Sequence, residues 1–276
     1  MKLKELVFHP PLLENDIRTI EDLYWILKDV FHYRREEIPF HYEDDIDEKQ
    51  FFFFWDKILN IPIQYVLGYG YFLGYKFILN NSVLIPRNET EELVIQIVDK
   101  FFNKKHISVL DIGTGSGAIL LTLEIMAKKR NIKFKGLGID ISKEALKIAN
   151  LNKEKYSLES NFLVSDVFDN LSEEDKFEII VSNPPYIAKH EFVDERVKKN
   201  EPHLALYADN NGLYVYEKII KTAPNHLKKN GVIALEISPE RKNGLIDLIE
   251  KNLQYNKYEF LKDINGFVRF LIIYLK

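Results

Sequence analysis

Asn183-Pro184-Pro185-Tyr186 closes a hydrophobic run through Phe177, Ile179, Ile180 and Val181. The run reads as a buried strand, and two consecutive prolines stop both strand and helix. The tetrapeptide is thereby pinned at a strand's carboxyl end, where open α/β sheets place their ligands. An amide, two rigid residues and an aromatic ring at that point can hold one flat, nitrogen-bearing group. A plain Pro-Pro loop would carry the same letters, so the residues upstream have to decide.

Asp111-Ile112-Gly113-Thr114-Gly115-Ser116-Gly117 falls at a strand-to-helix turn. Glycines there let backbone and ligand approach closely, and the helix N-terminus favours a carboxylate or phosphate. The spacing is G-x-G-x-G behind an acidic strand end, not the G-x-G-x-x-G of dinucleotide dehydrogenases, and no G-x-x-x-x-G-K-[ST] phosphate loop is present. Asp140 ends the next strand, where a carboxylate can accept both ribose hydroxyls of a nucleoside. An aspartate at a strand end can also be a helix cap, although Ser142 could serve instead. Asp166 and Phe168 follow a third strand: the carboxylate can accept from an adenine amino group, and the ring can lie against the base. Each signal is modest alone. Four elements at the ends of four successive strands form a coherent adenosine site.

Those positions require an alternating frame, and the sequence supplies one. Asn88 can cap a helix with Glu91 three residues on, and Glu89 and Glu92 suit its positive end. Strands are expected at 109–112, 134–140, 162–165, 177–182 and 232–237, with helices from about 116, over 143–150, around 213–227 and near 243–252. Residues 258–261 and 267–274 flank Asn265-Gly266, a strong hairpin signal. Alternation closed by a hairpin predicts an α/β fold, a mostly parallel seven-stranded sheet with an antiparallel C-terminal hairpin. Before it, residues 14 to about 60 read as helical: Ile20, Leu23, Tyr24, Leu27 and Phe31 keep one face. Phe51 to Trp55 is apolar all round, predicting a helix covered on two sides. Residues 62–86, aromatic and punctuated by glycine, read as a β-hairpin linker, with Asn80-Asn81 able to supply a tight turn's positive φ. The expected division is 1–61, 62–86 and 87–276.

The chain has 276 residues, 46% hydrophobic and 29% charged, with net charge −4. That describes a well-cored globular protein, and a sequence pI near 6.0 lowers the expectation of a duplex nucleic-acid ligand. The absence of cysteine excludes disulfides and thiol chemistry. No apolar stretch approaches the roughly 20 residues of a membrane helix. A cytoplasmic monomer that binds neither membrane nor nucleic acid is expected.

With DIGTGSG, Asp140, Asp166 and NPPY in place, the chain resembles the class I S-adenosylmethionine-dependent methyltransferases that act on planar nitrogen. Residues 62–68 (PIQYVLG), 85–91 (IPRNETE) and Glu201-Pro202 narrow the resemblance to the HemK-type protein glutamine N5-methyltransferases, which modify the GGQ-motif glutamine of peptide chain release factors. It covers residues 60–276 well; the first 60 match in position and character more than in letters. Asn88 replaces the family's middle proline in PRPETE, and either residue can begin a helix. The Glu89-Thr90-Glu91 run favours the release-factor branch over a sister branch that methylates a ribosomal-protein glutamine. The resemblance implies S-adenosylmethionine on Asp111, Gly113, Thr114, Gly115, Ser116, Gly117, Asp140, Asp166, Phe168 and Asn183, and no metal. It implies the glutamine amide on Asn183, Pro184, Pro185 and Tyr186, with residues 1–61 recognising the release factor.

An amide nitrogen is a weak nucleophile, and orienting it costs less than deprotonating it. The Asn183 oxygen and the Pro184 carbonyl could accept its two hydrogens while Tyr186 packs on its plane. Arg87 and Thr90 are candidates either for the cofactor's methionine end or for helix capping, and His190 and His203 are assigned no role. Two other readings stay open: an amino-methyltransferase of DNA or RNA bases, for which the same tetrapeptide would serve, and a binding module that keeps the fold without catalysis.

Overall fold

The structure, a computed structural model, describes residues 1–12, 16 and 18–276. The helical reading from residue 14 falls in part on positions 14, 15 and 17, which lie outside the described residues. The chain forms two compact units, Met1–Tyr69 with Asp194–Asn200, and Gly70–Val193 with Glu201–Lys276.

The first unit holds α1 (Leu3–Phe8), α2 (Ile20–Asp29), α3 (Glu48–Lys57) and α4 (Ile63–Leu67). Thr19 and Asp22 form a reciprocal capping box at the start of α2, which buries Leu23, Ile26 and Leu27. Asp47 caps α3 through the Gln50 N–H. Phe51 and Trp55 are buried and stacked 5.6 Å apart, and Phe52 and Phe54 pack partly against the same cluster. Phe53 instead points outward, 55% exposed, with the Lys57 ammonium 4.0 Å from its ring centroid. Three of the four rings are thus covered and the fourth faces away, successive residues on a helix of 3.6 residues per turn pointing about 100° apart. The short helix Glu195–Asn200 belongs to this unit, and the Asn200 side chain donates to the Asn60 carbonyl at 2.7 Å.

A two-stranded ribbon follows, β1 (Tyr69–Phe72) and β2 (Tyr75–Ile78). Its turn is Leu73-Gly74, both left-handed at φ 47° and 78°. The turn is not at Asn80-Asn81, because Asn80 uses its side chain locally, accepting from the Ser82 N–H at 3.0 Å.

The second unit contains seven strands in the order β5-β4-β3-β6-β7-β9-β8. They are β3 (His106–Ile112), β4 (Lys133–Asp140), β5 (Asn161–Val164), β6 (Phe177–Ser182), β7 (Leu227–Glu236), β8 (Tyr255–Lys262) and β9 (Val268–Leu275). The first five are parallel and β9 runs antiparallel to both of its neighbours, as the sequence pattern predicts. Its main helices are α5 (Asn88–Phe101), α6 (Ala118–Lys129), α7 (Lys143–Lys155), α8 (Tyr214–Thr222) and α9 (Lys242–Glu250). Leu110, Ile112, Ile180, Ile233, Leu235, Leu271 and Ile273 form one core cluster with Tyr216 and Ile219 of α8 and Leu245 and Ile249 of α9. The alternate residues Val109, Ile179, Val181, Val232 and Ala234 are buried as well. Both faces of the sheet are thus covered, which explains why its strands read as continuous apolar runs.

Arg87, not Asn88, is the N-cap of α5, and Asn88 is its first helical residue. The first-turn glutamates are drawn instead to distant backbone: Glu91 accepts from the Leu73 N–H at 2.7 Å and Glu92 from the Ile264 N–H at 3.1 Å. Amides in two turns thereby gain charged acceptors.

Asn152, fully buried on α7, is a tie that the sequence does not announce. Its oxygen accepts from the Ile78 N–H at 2.7 Å, and its nitrogen donates to the carbonyls of Ile78 (3.0 Å) and Ser116 (2.9 Å). One amide thus joins the ribbon to the glycine turn. Asn152→Leu leaves these backbone groups without partners, and the expected cost is on the order of 3 kcal/mol. Urea unfolding should show a lower midpoint at unchanged slope; a midpoint equal to the parent's would refute the tie.

Candidate active site

The parallel strands end nearly level. Ile112 is registered with Ile139 and with Ser182, and Ser182 with Leu235. The residues one step further along are Gly113, Asp140, Asn183 and Glu236, so one row at the carboxyl edge of the sheet gathers a glycine turn, two carboxylates and an amide. The row spans β3 and β6, neighbours on which the chain order reverses, the switch point where such sheets bind ligands.

The glycine turn is tied to β4, because the N–H groups of Gly113 and Thr114 both donate to the Ile139 carbonyl at 2.9 Å. Gly113, Gly115 and Gly117 all have positive φ, and a Cβ built on Gly113 or Gly115 would meet nothing within 4 Å. The turn is therefore an open cradle leading into α6, a helix N-terminus. Ser116 is buried, with its carbonyl held by Asn152.

Asp111 lies fully buried beneath the turn. Its Oδ2 accepts from the Thr114 hydroxyl at 2.7 Å, whereas Oδ1 is buried with no hydrogen-bond partner among the described residues. Burial pushes its carboxyl up to about 7, with the Thr114 hydroxyl opposing and the nearby Asp140 charge adding to the rise. A buried acceptor in want of a donor fits a cationic ligand group. Asp140 accepts from the Gly115 N–H and the Ser142 N–H, each at 2.9 Å, while the Ser142 hydroxyl caps α7. Burial raises the Asp140 carboxyl too, and the backbone amides oppose it. A carboxylate has about four lone-pair sites, so two donors leave capacity for ligand hydroxyls.

Past β5, Asp166 carries an ion pair with Lys218 of α8 at 2.8 Å. Phe168 is buried in the core, its ring stacked parallel on His226 at 4.8 Å. One face of that ring is thus covered by protein.

Asn183 donates from Nδ2 to the Thr90 hydroxyl oxygen at 3.1 Å, and Thr90 donates in turn to the Glu236 carboxylate at 2.6 Å. Glu236 is 2% exposed. Pro184 is buried and Pro185 half-buried. Tyr186 packs partly into the core, and burial raises its phenol, which stays protonated at neutral pH. From behind, Arg241 donates to the Tyr186 carbonyl at 3.1 Å and pairs with Glu191. Gly212, at φ 78°, presses so close that a Cβ there would lie 2.1 Å from the same carbonyl. Only glycine permits that approach. Arg87 pairs with the buried Glu201 at 2.6 Å. His190 and His203 are exposed.

The structure therefore brings Asp111, the glycine turn, Asp140 and Asn183 to one edge of the sheet, and sets Phe168 among core side chains. Sequence reading did not single out Glu236, Arg241, Gly212 or Asn152, and it met Glu201 only as part of the resemblance, not as the partner of Arg87. Their partners in the site lie 26 to 146 residues away along the chain, at 26 for Gly212 with Tyr186 and 146 for Thr90 with Glu236. No local pattern could reveal them.

Residues 103–268 match the family model described as a methyltransferase domain. A Staphylococcus aureus protein named release factor glutamine methyltransferase is 34% identical, covering 88% of this chain and 87% of its own length. A Lactococcus lactis protein of the same name is 42% identical over 75% of each. Among solved structures, a methyltransferase from Pyrococcus furiosus aligns with a TM-score of 0.54 at 20% identity, covering 74% of this chain and 90% of that one. At that identity the likeness speaks for the fold.

Proposed function

The chain belongs to the release factor glutamine methyltransferase family, and we propose that it moves a methyl group from S-adenosylmethionine to the side-chain amide nitrogen (N5) of the GGQ-motif glutamine of peptide chain release factors. The observation that carries this reading is the state of Asn183. It stands one residue past β6, beside the glycine turn, with its Nδ2 committed to Thr90 and its oxygen left to accept. An acceptor at that place suits a ligand that brings N–H groups, as a primary amide does.

When bound, S-adenosylmethionine supplies an electrophilic methyl group on a sulfonium. Asp140 would hold its ribose hydroxyls, the cradle of Gly113, Thr114, Gly115, Ser116 and Gly117 its amino-acid end, with Asp111 beneath, and Asp166 would serve its base, while Phe168, stacked on His226 in the core, would support that loop from behind. Asn183 Oδ1 and the Pro184 carbonyl accept the two amide hydrogens, and Tyr186 with Pro185 closes over the amide plane. The nitrogen is thereby aimed without being deprotonated first. Orientation of this kind is worth several kcal/mol, and about 7–11 in the best cases. On transfer the nitrogen would gain the methyl group and lose one proton to solvent, with S-adenosylhomocysteine as the coproduct.

We assign release-factor recognition to residues 1–61, the link to 62–86 and methyl transfer to 87–276, acting as a cytoplasmic monomer. No helix among the described residues is long and apolar enough to cross a membrane. A labelled-methyl assay on release factor, on its GGQ glutamine variant and on nucleic acid tests the whole reading. Label should enter the wild-type factor and vanish in the glutamine variant. Label in the variant, or in nucleic acid alone, overturns it.

A further inference from the structure

We infer that Glu236 is a positioning residue for methyl transfer: through the Thr90 hydroxyl it sets which way the Asn183 amide faces. The inference rests on the reading of Asn183 given above.

The geometry leaves little freedom. An ionised carboxylate has no hydrogen to give, so Thr90 must spend its single hydrogen on Glu236, at 2.6 Å. The Thr90 oxygen then offers only lone pairs to its other neighbour. Asn183, 3.1 Å away, can meet it with Nδ2 but not with Oδ1. The Asn183 oxygen is therefore turned away from Thr90, free for the hydrogens of an incoming amide. Without the carboxylate, the Thr90 hydroxyl can rotate and donate to Asn183, the Asn183 amide can reverse, and a donor would face the acceptor's own N–H groups.

Glu236 is held in place at both ends. Its side chain is buried, and its main-chain carbonyl accepts from the buried Tyr216 hydroxyl at 2.8 Å. It does not fill the ordinary role of a buried carboxylate, since no ion pair within 4 Å involves it among the described residues. The charged and titratable groups facing it are Arg87 and Glu89 at the start of α5, Arg269 on β9 and the Tyr186 phenol. Burial pushes its carboxyl up to about 7, with the Thr90 hydroxyl and Arg269 opposing and Glu89 adding to the rise. The acid therefore takes up a proton as pH falls through neutrality, and its hold on the Thr90 rotor weakens in the same interval.

The test uses the full-length enzyme with release factor as substrate, reading kcat against pH and cofactor Kd by calorimetry. Thr90→Val, close in shape but without a hydroxyl, should lower kcat on the order of 10²-fold, with cofactor Kd within about threefold. Thr90→Ser should recover most of the lost rate. Glu236→Gln keeps an oxygen that can accept the Thr90 hydrogen but cannot titrate. The acidic limb of the wild-type kcat profile, centred near neutrality, should disappear in it. Wild-type kcat in Thr90→Val, or an unchanged acidic limb in Glu236→Gln, overturns the proposal. Should Asn183→Ala itself stay active, the reading of Asn183 fails and the proposal falls with it. An inactive Asn183→Ala beside a fully active Thr90→Val sinks the Glu236 relay alone.

Discussion

Asn183→Ala is expected to lower kcat on the order of 10³-fold while cofactor affinity stays within about tenfold, or 1.4 kcal/mol. The separation follows from what Asn183 touches. Among the described residues Asn183 hydrogen-bonds through its side chain to Thr90 alone, and neither the glycine turn nor Asp140 depends on it for a partner. Truncation removes the oxygen that accepts an amide hydrogen and leaves an incoming nitrogen without a fixed direction. Interactions made only as the reaction proceeds are lost from kcat, not from ligand affinity. Single-turnover rates with labelled cofactor, paired with calorimetry, would separate the two. An Ala variant that methylates at the parental rate would remove Asn183 from the acceptor site.

Asp140→Ala should do the opposite, raising the cofactor Kd by roughly 10²- to 10³-fold, from charge-assisted hydrogen bonds worth about 1.5–3 kcal/mol each. The Asp140 carboxylate has two tasks. It offers lone pairs to ribose hydroxyls, and it anchors the Gly115 N–H and the Ser142 N–H. Asp140→Asn, which keeps one accepting oxygen, should fall between parent and Ala. The sign of the pH effect follows from burial, which raises this carboxyl above its ordinary value. Binding that depends on the ionised form is complete above the raised value and weakens as pH falls through it. An unchanged Kd in Asp140→Ala would take the residue out of the cofactor site.

The parts of this fold that could be read from sequence are those whose causes are local. Strand β6 is expected over 177–182 and is found there, because the apolar residues Phe177, Ile179, Ile180 and Val181 lead into two prolines. The glycine turn and Asp140 were legible because strand-to-helix turns need special backbone at fixed offsets. The ribbon's turn was misplaced: Leu73 gives no sign that it will adopt φ 47°, whereas Asn80 advertises a turn and makes a different one. The cap of α5 was misplaced by one residue, since Glu91 and Glu92 answer to amides elsewhere in the fold. The supports behind the site were invisible for a related reason. Glu236, Arg241 and Gly212 gain meaning only when β7, the Tyr186 loop and the start of α5 come together, and nothing in a window of ten residues encodes that.

The Asn152 tie has a bearing on solubility. A two-stranded ribbon as aromatic as residues 69–78 presents open edges, and an open edge of high β-propensity invites pairing with another chain. Along the outer side of β2, α7 takes the place of a third strand. Tyr156 donates its hydroxyl to the Lys76 carbonyl at 2.9 Å, Lys155 reaches the same oxygen, and Asn152 occupies both backbone groups of Ile78. A side-chain amide carries the same donor and acceptor as a peptide unit, so Asn152 completes the ladder without extending it. The helix thereby leaves this stretch of β2 without a free edge, and a substitution that loosens α7 is expected to show first as aggregation on concentration.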